Sequence, residues 1–421
     1  MLASKNRITY IDLFAGAGGL SEGFAASGYT SIAHVEMDSD ACNTLRTREA
    51  YYFLKSYNGY NKYIDYLKKK ISRDKLYESV PDCLIDSVIC ETMSEATMPS
   101  IFEKIDKAMV NKKISRIDLI LGGPPCQAYS TVGRSRKNMD GDPRNTLYEL
   151  YLMALKKYHP RMFVFENVPG LLTAGKGRYL NSIIDGFKEL NYDLEWKILN
   201  ASDYGVLQNR RRIILIGWKR NSGHYYPDLP ECEKKYLVKE LFSDLPFLVP
   251  GEEKSEYTTK EINVFLNDMQ IRHKNDVLTW HVARNHTERD RNIYKLVIKT
   301  WRNGHKRLKY TDLPDEFITH SNITSFLDRF KVVADDLYAT QTMVAHISKD
   351  GHYYIHPDER QARSISVREA ARIQSFPDDF FFEGPRTAAF RQIGNAVPPR
   401  LAKVIAEALY SQFGGSGSGK R

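Results

Sequence analysis

The chain runs to 421 residues, enough for a full α/β domain and a second, smaller one, and no apolar run approaches the length of a membrane span. Lys and Arg outnumber Asp and Glu by 61 to 52, a net charge of +9 that suits a nucleic-acid partner without establishing one. The five cysteines (Cys42, Cys83, Cys90, Cys126, Cys232) are odd in number and contain no C-x-x-C pair, which argues against a disulfide frame or structural zinc; no metal site is expected.

The opening residues pass directly into the strand-like run 8–14, leaving no room for a signal peptide, so a cytoplasmic protein is expected. That strand ends in Phe14-Ala15-Gly16-Ala17-Gly18-Gly19-Leu20, followed by a helix-like stretch from Ser21. Strand, glycine-rich turn and helix together let a backbone approach a ligand closely at a helix N-terminus. The spacing is not G-x-G-x-x-G, which makes NAD the weaker reading. A second strand, 31–38, carries Glu36 near its tip, where an acid accepts hydrogen bonds from the ribose of a nucleoside cofactor; the plain alternative is two ordinary βα turns.

Residues 50 to about 78 are rich in Tyr and Lys, and are read as an inserted amphipathic helix pair with a solvated basic face rather than a nucleic-acid surface. A third strand, 85–90, ends at Glu91, and a helix over 100–110 leads to the apolar run Ile117–Leu121. Gly122-Gly123-Pro124-Pro125 then stops that strand abruptly and presents Cys126 at its carboxyl end, the edge where open α/β sheets carry out their chemistry. A cysteine there can be a nucleophile, though a lone cysteine is more often a small buried hydrophobe.

The following segment, 130–145, is nearly devoid of apolar residues. Ser130, Arg134, Arg136 and Lys137 in it read as a phosphate-binding loop beside the nucleophile. After a helix over 146–158, the strand 161–165 ends in Glu166-Asn167-Val168, and Gln208-Asn209-Arg210-Arg211-Arg212 precedes another strand, 213–217. Beyond Lys219 the parallel rhythm breaks into a polar, aromatic segment whose histidines lack ligand spacing. Order returns in a capped helix, with Ser366 as N-cap and Glu369 completing the capping box, and in Gly394-Asn395-Ala396-Val397 before a final helix to about Phe413. Residues 414–421 have the composition of an appended linker.

Taken in this order, the motifs resemble those of the DNA (cytosine-5) methyltransferases, of the bacterial restriction-modification type, along nearly the whole catalytic framework. Asp12–Leu20 is similar to the cofactor loop, Glu36-Met37 to the ribose and adenine contacts, Pro125-Cys126-Gln127 to the catalytic motif and Glu166-Asn167-Val168 to the substrate-base motif. Gln208–Arg212 matches Q-x-R-x-R, and Arg368–Pro377 and Gly394–Val397 match the last two blocks. One departure is Cys90-Glu91-Thr92, where the family usually has Gly-Asp-Ile.

The resemblance implies a Rossmann-like mixed-sheet domain binding S-adenosylmethionine (1–220 with 386–413) and a target-recognition domain with hinge (221–385, its variable part to about 360). Phe14, Gly16, Gly18, Gly19, Leu20, Glu36, Met37, Glu91, Pro124, Leu147, Asn395 and Val397 are implied as the cofactor pocket. Cys126 would add to cytosine carbon 6, Glu166 would hold ring nitrogen 3 and the exocyclic amine, and Arg212, or Arg210 beside it, would bond the carbonyl at position 2. Base flipping of double-stranded DNA follows, by an enzyme expected to act as a monomer at the nucleoid. A transfer-RNA methyltransferase, a non-catalytic binding module and a glycine-loop oxidoreductase are the rival readings. The long region between Lys219 and Arg363, the intact Cys126, Glu166 and Arg212, and the lack of any downstream nicotinamide site weigh against them in turn.

Overall fold

The computed structural model describes residues 7–125, 147–319 and 327–414. The chain divides into two compact units, one of Met1–Tyr204, Arg211–Cys232 and Ala396–Arg421, the other of Gly205–Arg210 and Glu233–Asn395.

The first unit is built on a seven-stranded mixed sheet in the order β3-β2-β1-β4-β5-β7-β6. Its strands are β1 (Thr9–Leu13), β2 (Thr30–Glu36), β3 (Val88–Cys90), β4 (Leu119–Gly122), β5 (Met162–Asn167), β6 (Tyr192–Asn200) and β7 (Arg211–Lys219). The first five pair in parallel; β7 runs antiparallel between β5 and β6. β1 and β4 are buried along their whole length, which is why neither alternates: β4 reads as an apolar run, and β1 is apolar apart from Thr9 and Asp12. Helices α1 (Gly19–Ala26), α2 (Ser39–Ser56), α3 (Tyr60–Leu67), α4 (Arg73–Tyr77), α5 (Asp82–Ile85), α6 (Met98–Asn111), α7 (Leu147–Tyr158) and α8 (Arg178–Glu189) complete this part. The chain orders β1, β2 and β3 outward on one side and places β4 on the other, so the direction of winding reverses between β1 and β4. That reversal opens the crevice in which such sheets bind ligands.

The Tyr-rich insertion is helical. Tyr51 and Tyr63 are buried against each other with rings 5.1 Å apart, while Lys62, Lys68, Lys69 and Lys70 face outward. Ile85, expected to open the third strand, instead closes the single turn α5 after Pro81, and the strand shortens to Val88–Cys90.

The second unit has little regular structure: α9 (Val264–Asp268), α10 (Glu288–Arg302), α11 (Val367–Ile373) and α12 (Arg386–Asn395), joined by long irregular segments. Ser366 caps α11 and Glu369 returns the bond to the Ser366 N–H, the capping box anticipated from sequence. A small apolar core around Ile293, Tyr294, Val297 and Phe330 is supplemented by buried ion pairs. Arg372 reaches Asp244 and Asp378, each at 2.5 Å, and Arg363 holds Glu369 at 2.7 Å.

The unit boundaries depart from the expected ones. Residues 205–210 and 386–395 belong to the second unit: Gln208 bonds Gln374 and the Met343 N–H, and a Cβ at Gly394 would meet Ala345 N at 2.3 Å. Residues 221–232 stay with the first, tied by bonds such as Cys232 N–H to the Asp203 carbonyl at 2.7 Å.

The chain returns to the first unit with α13 (Pro399–Tyr410), which packs directly on α1. Contact is close because Gly23 has no side chain; a Cβ there would lie 2.3 Å from Lys403 N and 2.5 Å from Ala402. Gly23→Ala therefore forces two helix backbones apart, and overpacking of this kind costs about 1–3 kcal/mol. A thermal midpoint lowered by several degrees is expected; an unchanged one would show that the helices separate freely.

Candidate active site

The carboxyl ends of β1, β2, β3, β4 and β5, together with the amino end of antiparallel β7, lie along one edge of the sheet in the first unit. On the β1–β2 half the glycine loop forms. Phe14, Gly16 and Gly18 all take left-handed backbone angles, with φ of 56°, 56° and 83°. Glycine adopts these freely, whereas Phe14 is held in a conformation that L-residues rarely occupy. The loop is fastened by Ala15 N–H to the Val35 carbonyl and Gly18 N–H to the Ala15 carbonyl. Gly19 and Leu20 are buried and open α1.

Glu36 closes this half. Its Oε2 accepts from the Gly16 N–H and its Oε1 from the Asp38 N–H, both at 2.8 Å. A carboxylate offers about four lone-pair sites, so two backbone donors still leave capacity for a ligand's hydroxyls. Next to it Met37 is 64% exposed, an apolar side chain left uncovered at the edge. A Cβ at Gly16 would meet nothing within 4 Å, so space lies beside the loop. These features fit a nucleoside-bearing methyl donor: a hydroxyl acceptor, an apolar side chain and a bare backbone are adjacent.

Beneath the loop runs a buried polar chain that motif reasoning did not anticipate. Ser21 Oγ donates to Asp12, its Oγ also lies 3.5 Å from His34 Nδ1, and His34 Nε2 meets Glu49 at 3.1 Å. Burial pushes the Asp12 carboxyl up to about 6, against the opposing pull of His34 and Ser21. Burial also acts to raise Glu49, but His34, Lys112 and Ser31 outweigh it and bring that carboxyl down to about 2. Asp12, Ser21, His34 and Glu49 gave no joint sequence signal, because they come from four elements, β1, α1, β2 and α2.

Glu91 sits at the end of β3, its N–H bonded to the Glu36 carbonyl. Its Oε2 accepts from Lys104 at 2.6 Å and from Ser100 at 3.4 Å, both of α6.

On the β4–β5 half, Glu166 Oε1 is 2.8 Å from Arg212 Nε, and both side chains are largely buried. Burial pulls the Arg212 guanidinium below its ordinary value, and the adjacent Glu166 carboxylate works against that pull. Pro124 is buried, and its carbonyl accepts from Asn167 Nδ2 at 3.3 Å, tying the end of β4 to the end of β5. Gly123 is a site residue that sequence reasoning passed over: a Cβ there would lie 2.7 Å from Glu166 Oε2. Only the second glycine of Gly122-Gly123 lets the turn pass so close to the carboxylate. Leu147 begins α7 and packs against the sheet core.

Arg210, offered as an alternative to Arg212, is set aside. Its side chain is fully buried in the second unit, where it donates to the Met343 carbonyl at 2.6 Å and the Gly394 carbonyl at 3.2 Å. Asn395 is exposed at the end of α12 in the second unit, and Val397 is buried in the first. Cys126, Ser130, Arg134, Arg136 and Lys137 lie outside the described residues.

A mixed sheet of this order is the Rossmann-like fold of solved methyltransferases. The family model for C-5 cytosine-specific DNA methylases matches residues 8–104 and 73–411. A type II methyltransferase of Bacillus paralicheniformis is 38% identical, over 96% of this chain and 99% of its own. One from Haemophilus parahaemolyticus is 30% identical, over 96% and 86%. Among solved structures, a prophage-encoded DNA modification methyltransferase of E. coli shares the fold with a TM-score of 0.63 at 22% identity, covering 97% of this chain and 100% of that one. An Entamoeba histolytica methyltransferase does so at 0.57 and 14%, covering 97% and 99%. The chain belongs to the C-5 cytosine-specific DNA methylases and is a DNA (cytosine-5-)-methyltransferase, an enzyme that requires a methyl donor and DNA.

Because the turn and the carboxylate are in near contact, Gly123→Ala must displace Glu166 by a sizeable part of an ångström. Misplacement on that scale costs roughly 100-fold in rate. Turnover of methyl transfer to DNA should fall by about that factor while the thermal midpoint changes little; full activity would mean that the carboxylate position is not critical.

Proposed function

We propose that this enzyme methylates carbon 5 of one cytosine within a specific short sequence of double-stranded DNA, and that it protects host DNA from a cognate restriction endonuclease. The observation that carries the reading is the Glu166–Arg212 pair set against Gly123, three residues before Cys126 in the chain. That places a carboxyl and a guanidinium together beside the turn leading to a thiol. The restriction-modification role rests on the type II methyltransferases to which the chain is similar.

Cytosine carbon 5 is a weak nucleophile. In the proposed reaction the Cys126 thiolate forms a bond to carbon 6, and the carbon 5–carbon 6 π electrons move into the ring. Glu166 shares a proton with ring nitrogen 3 and accepts from the exocyclic amine, and Arg212 donates to the carbonyl at position 2, so the added charge is spread over groups already in place. S-adenosylmethionine, when bound, supplies the methyl group as a sulfonium-activated electrophile. Carbon 5 would gain the methyl group as the donor's sulfur–methyl bond breaks and a neutral thioether leaves, and would then lose its proton to a solvent base as the carbon 6–sulfur bond breaks and the thiolate is restored. Glu36 would accept from ribose hydroxyls, Met37 would cover the adenine, and Phe14, Gly16 and Gly18 would let the backbone approach the rest. A base inside a duplex cannot reach this edge, so it must leave the stack. The cations Arg134, Arg136 and Lys137 would hold the flanking phosphates.

Trapping tests the adduct. With 5-fluorocytosine at the target, the proton that must leave is replaced by fluorine, so the enzyme–DNA bond should survive denaturant in the presence of S-adenosylmethionine. Cys126→Ser should give none; an equal yield from that variant rules out Cys126 as the nucleophile. Running transfer RNA beside duplex DNA in the same assay separates the two substrates.

Sequence choice is assigned to the second unit, on the polar and aromatic character of its irregular segments. Exchanging residues 233–360 for those of a relative with another specificity should change which cytosine bisulfite sequencing finds modified. An active chimera that keeps the original site would place recognition elsewhere.

A further inference from the structure

The second unit holds a cavity of about 120 Å³ whose walls include Trp301 and Phe330 and whose rim carries Asn209, Lys306, Arg307 and Lys331. Trp301 is fixed by donation from Nε1 to Asp336 at 3.1 Å, and His305 takes the other oxygen of the same carboxylate at 2.8 Å. The neighbouring Asp335 is taken by Arg302 at 2.7 Å. The acids on this side are thus spent on Trp301, Arg302 and His305.

Lys306 and Arg307 are left exposed, with no carboxylate partner among the described residues. Some exposed cations of this unit are paired, Lys234 with Asp268, Lys299 with Glu359 and Arg360 with Asp358; Lys306 and Arg307 are set apart by lining the cavity. The turn that delivers the two free cations is specific as well. Asn303 caps α10, and Gly304 takes a φ of +129° that side chains avoid, which folds the chain back so that Lys306 and Arg307 reach the cavity. Asn209, on the same rim, is three residues before Arg212 in the chain.

Two uncompensated cations over an immobilised aromatic wall suit a ligand that is anionic on one side and apolar on the other. Deoxyribose phosphate has that character, and this enzyme's substrate presents it repeatedly. We propose that this cavity is a backbone clamp for the DNA substrate: Lys306 and Arg307 each bind phosphate, and a deoxyribose packs against Trp301 and Phe330. The proposal deepens the assignment of the second unit to DNA contact and rests on it. Phosphate contacts of this kind fix register and orientation and carry no sequence information.

The test uses the full-length enzyme with Lys306→Gln and Arg307→Gln combined. Affinity is measured across a salt series for two duplexes, one that the wild type methylates and one of unrelated sequence. Both should weaken by the same factor, and the slope of log affinity against log salt should become shallower by about 1.8, two phosphate contacts at roughly 0.9 each. Between about 50 and 200 mM salt the wild type should therefore lose roughly tenfold more affinity than the variant. Exchange of the cations, Lys306→Arg with Arg307→Lys, should restore most of the slope. An unchanged slope overturns the proposal, and so does a loss confined to the methylated duplex, which would make these residues base readers. If the double variant unfolds early, Arg307→Gln alone carries the test with a slope change of about 0.9. Because one duplex is unrelated in sequence, a clamp can be established even where exchange of residues 233–360 leaves the modified cytosine unchanged.

Discussion

The antiparallel entry of β7 beside β5 is the constraint on which the active edge depends. Were β7 to run in the direction of the six strands before it, its first residues would lie at the far end of the sheet. Reversed, its amino end arrives where β5 finishes, and Arg212 meets Glu166 at 2.8 Å. A largely buried ion pair is weak evidence for stability, since desolvation offsets much of the attraction. Its value here is positional: each partner limits where the other can be, and Gly123 leaves the carboxylate room on the side facing the turn.

The cofactor half is shaped by different forces. A Phe and two Gly in left-handed conformations give the loop its path, and Glu36 holds it by accepting from the Gly16 N–H. Below, Asp12, Ser21, His34 and Glu49 form a polar chain within a sheet otherwise packed with Ile, Leu and Val. Such chains are stable only when each member is satisfied, which links β1, α1, β2 and α2 in one arrangement.

The second unit solves the problem of order without much helix or strand. Its fully buried side chains include Arg210, Arg363, Arg368 and Arg372. The guanidiniums of Arg210, Arg368 and Arg372 each gather carbonyls or carboxylates from separate segments; Arg368 donates to Thr279, Pro377 and Phe380. Five donors in a fixed plane let one side chain hold several irregular stretches in register. Segments fixed this way can vary widely in sequence between their anchors, which suits the DNA reading proposed for this unit.

The sequence by itself determined much of this protein. Largely apolar runs ending in glycine or an acid gave β1, β2, β4 and β5 and the edge where they finish, because a strand buried on both faces has little room for polar residues. The capping box at Ser366 and Glu369 is local chemistry and appears as predicted. The ordered motifs gave the family, the acid at 166 and the arginine motif. What tertiary structure decided is which arginine does what: Arg210 and Arg212 are two residues apart, yet one is spent on carbonyls of the second unit and the other faces Glu166. Charge and spacing are the same for both, and only the strand register separates them. The edge strand β6 was also illegible, since its exposed Glu195 and Trp196 interrupt any alternation. Glu91 has the place the motif order implies, and that Lys104, thirteen residues on in the chain, pairs with its Oε2 is recorded in no local pattern. Gly123 looks in sequence like any turn glycine. That its missing side chain makes room for Glu166 depends on two strands meeting, and no local pattern records that.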